Sequence, residues 1–413
     1  MLRNKSSFIV FSFLAILLVS CSGNSKVKTL VELTPRFYAN ENHSININGE
    51  FMQDPFDFKG NAFVKYNITG NIIGEPVCAK GKIYILTNDH QIVAFSNTDK
   101  KIIWKHKIAT FKNQPNSHSG GVLYINGKLF VTDGSRKLTA INADTGYEIF
   151  QKTFPNIIRI QPVLFKEEAL LIQTIDNEIF AYDTSNDSIL WQYSADSSTL
   201  SSHFRFAPIV HDNHLITSDN NGNLISVNIV NMSVAWIFNM EDSYSMIMAN
   251  LDGKFITCKP EIDNKYLYFA TSNGRLVKLD LVSGQISWEA NINDVQSMYL
   301  LDNYLFITTN ARQVIALDIS RGDVIWAGNL YSSEDKTLRP VEFLRPFISQ
   351  SYDDDYILNV IGNNGALYQF SYSDSKFNVE PSIVKITKNI QYIGYTCCSN
   401  MFLITDKAIL FAK

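Results

Sequence analysis

Gly274-Arg-Leu-Val-Lys-Leu-Asp280-Leu-Val-Ser-Gly284-Gln-Ile-Ser-Trp288 reads as a turn, a short apolar run, a second turn, and a run that reaches a Trp fourteen residues after the first turn. The same frame recurs from His90-Gln91 to Trp104, Asn177-Glu178 to Trp191, Gly222-Asn223 to Trp236, and Arg312-Gln313 to Trp326. All five tryptophans of the chain therefore hold one position, and Phe150 takes it after Arg136-Lys137. Successive positions are 38 to 52 residues apart. A fixed offset recurring at such a period marks a repeat architecture.

Working outward, each unit is four short runs rich in β-branched and aromatic residues, split by Gly, Asn and Asp turns. Pro76-Val-Cys-Ala leads into Lys82-Ile-Tyr-Ile-Leu, Gln91-Ile-Val-Ala-Phe and Lys101-Ile-Ile-Trp-Lys. Later units start at Gly120, Pro162, Pro208, Pro260 and near Gln296. The seventh, from Pro346 to about Phe377, is the least regular. No sustained apolar period of 3.6 argues for helices. Four strands per unit predict propeller blades. The recurring Pro suits a first, innermost edge strand, where a missing N–H is tolerated. Ten residues before the Trp position lies a small residue (Ala94, Ala140, Ala181, Ser226, Ala316), with Lys278 the exception. A small residue beside a large ring is what interdigitating blades need, so each of Trp104, Phe150, Trp191, Trp236, Trp288 and Trp326 is expected to dock on a neighbouring blade. After the seventh unit, Gln391-Tyr-Ile-Gly, Met401-Phe-Leu-Ile-Thr and Ala408-Ile-Leu-Phe give three strands, and Phe63-Val-Lys-Tyr-Asn-Ile supplies the fourth. The expectation is an all-β, eight-bladed propeller of four-stranded antiparallel blades, closed by an N-terminal strand.

The 413 residues are 18% charged and 46% hydrophobic, with a net charge of −4, ordinary for a globular protein with a large core. No basic run supports nucleic-acid binding. Arg3 and Lys5 precede a short apolar run, Phe8 to Val19, ending in Leu18-Val19-Ser20-Cys21. That order is a targeting segment and resembles the bacterial lipobox, in which Cys21 becomes the lipidated first residue; Ser22 after it points, by the sorting rules of such lipoproteins, to the outer membrane. The expected domains are a signal peptide (1–20), a lipidated tether (21–55) and the propeller (56–413). Acyl chains would anchor the protein stably.

The remaining cysteines are Cys78, Cys258, Cys397 and Cys398. Adjacent residues on a strand face opposite sides, so Cys397 and Cys398 read better as small apolar packing than as a vicinal disulfide. A bridge from Cys78 to either stays open. His211 and His214, three apart on one strand, would face opposite sides and make a poor metal pair. Asp353-Asp354-Asp355 reads as turn acids. The residues call for no catalytic group, no metal and no cofactor.

Asp280-Leu-Val-Ser-Gly284-Gln-Ile-Ser-Trp288 and Asp318-Ile-Ser-Arg-Gly322-Asp-Val-Ile-Trp326 resemble the docking motif of quinoprotein-type propellers, and Asn142-Ala-Asp-Thr-Gly146 is a close variant. Together with the lipobox, the mature chain resembles the BamB family, lipoproteins of the outer-membrane β-barrel assembly machinery. The resemblance implies a non-enzymatic periplasmic scaffold, a monomer within a hetero-complex, that binds the periplasmic domains of BamA and aids insertion of β-barrel proteins. It places the partner surface on mid-chain blade connections. Leu200-Ser201-Ser202-His203 before Pro208 matches one of these in Leu200 and Ser201 and departs at Ser202 and His203. Glu241 to Lys254 matches the second, with Asp252 as a loose counterpart of an acidic residue. Plain solvated connections are the competing reading of both, although their length exceeds the usual. Two other function classes stay in view: a PQQ-dependent dehydrogenase, needing a calcium site and an Asp base in one pocket, and a propeller that binds a ligand in its channel.

Overall fold

The apolar runs pair in sequence order, as short turns dictate. The computed structural model describes residues 63–412 except 69, 109–116, 118, 167–168, 177, 195–205, 220–222, 240–254, 332–339, 351–355, 374–375 and 396–400. Eight antiparallel sheets form the blades of a ring. Blade 1 is Val77–Ala79, Lys82–Thr87, Gln91–Ser96 and Lys101–Lys107, paired in that order. Blades 2 to 6 repeat the plan, beginning at Gly121, Val163, Ile209, Glu261 and Val295. Blade 8 is Ile390–Tyr395, Met401–Thr405 and Ala408–Ala412, completed by Phe63–Asn67. Val64 pairs with Phe411 and Tyr66 with Ile409, so the N-terminal strand closes the ring. This removes two open sheet edges at once.

Burial follows strand rank. Ile83 to Thr87 in the second strand of blade 1 are all buried, whereas its outer strand alternates between exposed and half-buried. The core is accordingly distributed: eight apolar clusters each combine residues of two adjacent blades, one per seam. The last joins Phe402, Ile404 and Phe411 of blade 8 to Ile83, Ile85 and Phe95 of blade 1. Each blade therefore depends on both neighbours, as repeat architectures do.

First strands of neighbouring blades touch (blade 1 with 2, blade 5 with 6), which puts them around the centre. Pro76, Pro162, Pro208, Pro260 and Pro346 each stand immediately before such a strand, where no ladder N–H is lost. Two sequence expectations need correction. Blade 7 does not end at Phe377: its outer strand is Ser382–Lys385, paired with Ala366–Ser373, and Lys376–Phe377 is an extra strand hairpinned onto the end of that third strand. With no Trp to mark the frame, the insertion concealed the true outer strand. His211 and His214 do not share a strand. They face each other across a hairpin at Asp212-Asn213, where Asp212 adopts a φ of +50°.

Candidate functional site

The repeated aromatic position has one geometry in three seams. In every blade from 1 to 6 the ring lies directly opposite the residue ten before it: Trp104 with Ala94, Phe150 with Ala140, Trp191 with Ala181, Trp236 with Ser226, Trp288 with Lys278, Trp326 with Ala316. The rings of Trp104, Trp236 and Trp288 then lie on Gly146, Gly284 and Gly322 of the next blade. A Cβ at Gly284 would meet Trp236 Cγ at 2.6 Å. The indole N–H donates to the carbonyl three residues before each glycine: Ala143 at 3.2 Å, Leu281 at 2.8 Å and Ile319 at 2.8 Å. Where the glycine is replaced, the bond is lost. Trp191 and Met232 pack against the same apolar cluster, and Met232, at the glycine position, has a φ of +57°. Phe150 has no N–H to give, and Asp187 at the corresponding turn position pairs instead with Lys152 at 2.6 Å.

Lys278, the sequence exception, belongs to this device. It is buried, its Nζ donates to the Ile319 carbonyl at 2.8 Å, and it lies 3.9 Å from the centre of the Tyr266 ring. One carbonyl thus receives both Trp288 and Lys278. At seam 1–2, Ala143 receives both Trp104 and the Tyr84 hydroxyl.

The channel mouth is crossed by ion pairs. Glu75 and Lys259 precede the prolines of blades 1 and 5, opposite members of an eight-bladed ring, and their side chains meet at 3.2 Å. Arg345, before Pro346 in blade 7, pairs bidentately with Glu261 of blade 5 at 2.9 and 3.1 Å. Its guanidinium passes 4.7 Å from the centre of the Tyr299 ring of blade 6. Burial pushes the Glu261 carboxyl above its usual range, against the opposing pull of Arg345. Burial also raises the Tyr299 phenol and the Tyr392 phenol. The Cys258 thiol is pushed to about 12 by burial, which leaves it un-ionised and a poor nucleophile at neutral pH. These residues can bind and orient; none is poised as a nucleophile or general base. Among the described residues no group of three His, Cys, Asp or Glu could hold a metal. His214 Nδ1 instead meets Ser226 Oγ at 3.0 Å.

Several sequence candidates fall outside the described residues: Cys21, Leu200, Ser201, His203, Asp252, Asp353 to Asp355, Cys397 and Cys398. Topology still fixes where the two predicted partner connections start and stop. They join the outer strands of blades 3 and 4 to the first strands of blades 4 and 5. In antiparallel blades these connections share a face with the turns between second and third strands. The channel cluster was missed in the sequence, yet it had a signal: Glu75, Lys259, Glu261 and Arg345 all adjoin a recurrent proline.

Residues 88–328 match the family model of the outer membrane protein assembly factor BamB. The chain is 36% identical over its whole length to an uncharacterized protein of Rickettsia prowazekii (strain Madrid E), also covered in full. It is 26% identical to the outer membrane protein assembly factor BamB of Yersinia pestis, over 49% of this chain and 54% of that one. The fold is similar to the crystal structure of BamB from Moraxella catarrhalis, with a TM-score of 0.64 at 14% identity, covering 85% of this chain and 100% of that one.

Proposed function

Because the chain belongs to the family of the outer membrane protein assembly factor BamB, we propose that it is a non-enzymatic scaffold lipoprotein of the outer-membrane β-barrel assembly machinery. The observation that carries this reading is the family match over residues 88–328, which runs from the third strand of blade 1 to the outer strand of blade 6. The lipobox at Cys21 supports an anchor in the outer membrane facing the periplasm. The two long blade connections, 195–205 and 239–254, support a partner surface for the periplasmic domains of BamA, with Leu200 as its apolar anchor and Ser201, His203 and Asp252 beside it.

The test is crosslinking in cells followed by identification of partners. The expected partner is BamA, and recovery of unrelated proteins alone would overturn the reading. Cys21→Ala should move the protein from the membrane fraction to the soluble periplasm. Leu200→Asp should lose BamA in pull-down at unchanged yield. A quinoprotein dehydrogenase is the competing class. Cofactor absorbance that survives desalting after incubation with PQQ and calcium would favour it over the scaffold.

A further inference from the structure

A cavity of about 990 Å³ opens between blades 6 and 7, on the face that carries the blade connections. Its volume is in the range of small-molecule sites. Arg312 lines it, in the turn between the second and third strands of blade 6, and is only 7% exposed. The equivalent residue of blade 1 is His90, which is also buried and meets the buried Asp133 carboxylate of blade 2 at 2.8 Å. Among the described residues no carboxylate meets Arg312. The guanidinium donates through Nε to the Leu330 carbonyl at 3.0 Å and through Nη2 to the Tyr368 hydroxyl at 2.9 Å. Nη1 has no hydrogen-bond partner among the described residues. A guanidinium keeps its charge at any physiological pH, and a buried charge is costly without a counter-ion.

Tyr368 repeats the signal independently. Its hydroxyl, 2% exposed at the level of the residue, accepts from Arg312 and from Asn364 Nδ2 at 3.3 Å. Both lone pairs are then occupied, and the single O–H proton has no acceptor among the described residues. Two donors, on residues that line one cavity, therefore lack an acceptor among the described residues. Lys385 and Lys388 line the same wall, with Glu380 the one carboxylate there. The cavity is cationic on a chain whose net charge is −4. Val341 and Ile383 give it an apolar side.

We infer that the cavity between blades 6 and 7 binds an organic carboxylate, with Arg312 Nη1 and the Tyr368 hydroxyl as donors. The carboxylate takes the place that the Asp133 carboxylate holds beside His90 in the first seam, and its apolar body lies against Val341 and Ile383. The source is either a free small acid or the C-terminus of a peptide. This inference does not depend on the membrane anchor or on the assembly partner.

The experiment is calorimetric titration of the full chain in detergent micelles with benzoate, and with benzamide as the uncharged isostere. Benzoate should bind at least about tenfold more tightly, the scale of one charge-assisted hydrogen bond. Tyr368→Phe should weaken benzoate about tenfold. Lys388→Ala, outside the core, should weaken it severalfold with an unchanged denaturation midpoint, and it carries the test should Tyr368→Phe fail to fold. The tripeptide Ala-Ala-Phe, with a free or an amidated C-terminus, separates the two sources. Tighter binding of the free-acid peptide than of benzoate assigns a chain end; the reverse assigns a small acid. Equal binding of benzoate and benzamide, no benzoate binding at about 10 mM, or undiminished binding by the folded variants would overturn the inference.

Discussion

Substitution of Gly284 by Ala tests the docking device with a magnitude that can be worked from the geometry. Gly284 has a φ of +70°, and an added Cβ would stand 2.6 Å from Trp236 Cγ and 2.8 Å from Cδ2. Carbon contacts settle at about 3.5–4.0 Å, so the ring must retreat by roughly 1 Å. It cannot do so and keep the 2.8 Å bond from Nε1 to the Leu281 carbonyl. A left-handed alanine costs about 1–2 kcal/mol, overpacking about 1–3 kcal/mol and the lost bond about 0.5–1.5 kcal/mol. The expected loss is about 3–6 kcal/mol. Gly127 is the internal control: its φ is +81° and nothing lies within 4 Å of its Cβ position. Gly127→Ala should lose only the backbone part, about 1–2 kcal/mol. Urea denaturation of both variants, and of Gly284→Ala in a Trp236→Ala background, completes a double-mutant cycle. Without the indole, Gly284→Ala should fall to the cost of the control. Equal losses at the two glycines, or an unchanged loss without the indole, would refute docking as the tie between blades 4 and 5.

Three further outcomes follow from particular contacts. Met232→Gly should stabilise the protein by about 1 kcal/mol, since it relieves a left-handed side chain under Trp191 at a smaller entropic cost; a lower urea midpoint would count against the equivalence of Met232 and Gly284. Lys278→Met should stay within about 1 kcal/mol of the parent, because the Ile319 carbonyl keeps the Trp288 N–H and a buried ammonium is removed; a loss near the 3–5 kcal/mol expected for Trp288→Ala would make the lysine the primary tie. Glu261 concerns pH. Its folded pKa is raised from 4.5, so its contribution is fully present below 4.5 and is lost as pH rises through the folded value. Glu261→Gln, held neutral, should therefore gain stability relative to the parent as pH rises from about 4 to 7, and thermal midpoints showing the opposite trend would contradict the burial argument.

What could be read in the sequence and what could not divide along a physical line. The Trp frame, its facing small residue and the proline before each first strand are local rules, set by strand alternation and by turn geometry. They gave the blade count and the closing strand Phe63–Asn67, because pairing within a blade joins runs that are near in sequence. The channel cluster obeys no local rule. Glu75 meets Lys259 across 184 positions, a proximity created only when the ring closes. Lys278 looked like an error in the pattern because its partner carbonyl, Ile319, belongs to the next blade. His211 and His214 were misread for the opposite reason: the turn between them consists of Asp212 and Asn213, two residues too few to interrupt an apolar run visibly.

The seam between blades 6 and 7 departs from the docking geometry of the three seams that carry a glycine. The third strand of blade 7 runs on to Ser373 and turns back through Lys376–Phe377 instead of making the short turn of other blades. Trp326 therefore packs edge-on against Phe370, with ring centres 5.1 Å apart, and its buried Nε1 has no partner. An orphaned buried donor costs about 1–3 kcal/mol. The same seam holds Arg312 without a carboxylate and Tyr368 without an acceptor for its proton among the described residues. Arg312 and Tyr368 line the same cavity, so two of these departures lie at one place. Departures from local consistency concentrate where a protein binds something, and this argues that the sixth seam was shaped by a ligand rather than by the needs of closing the ring.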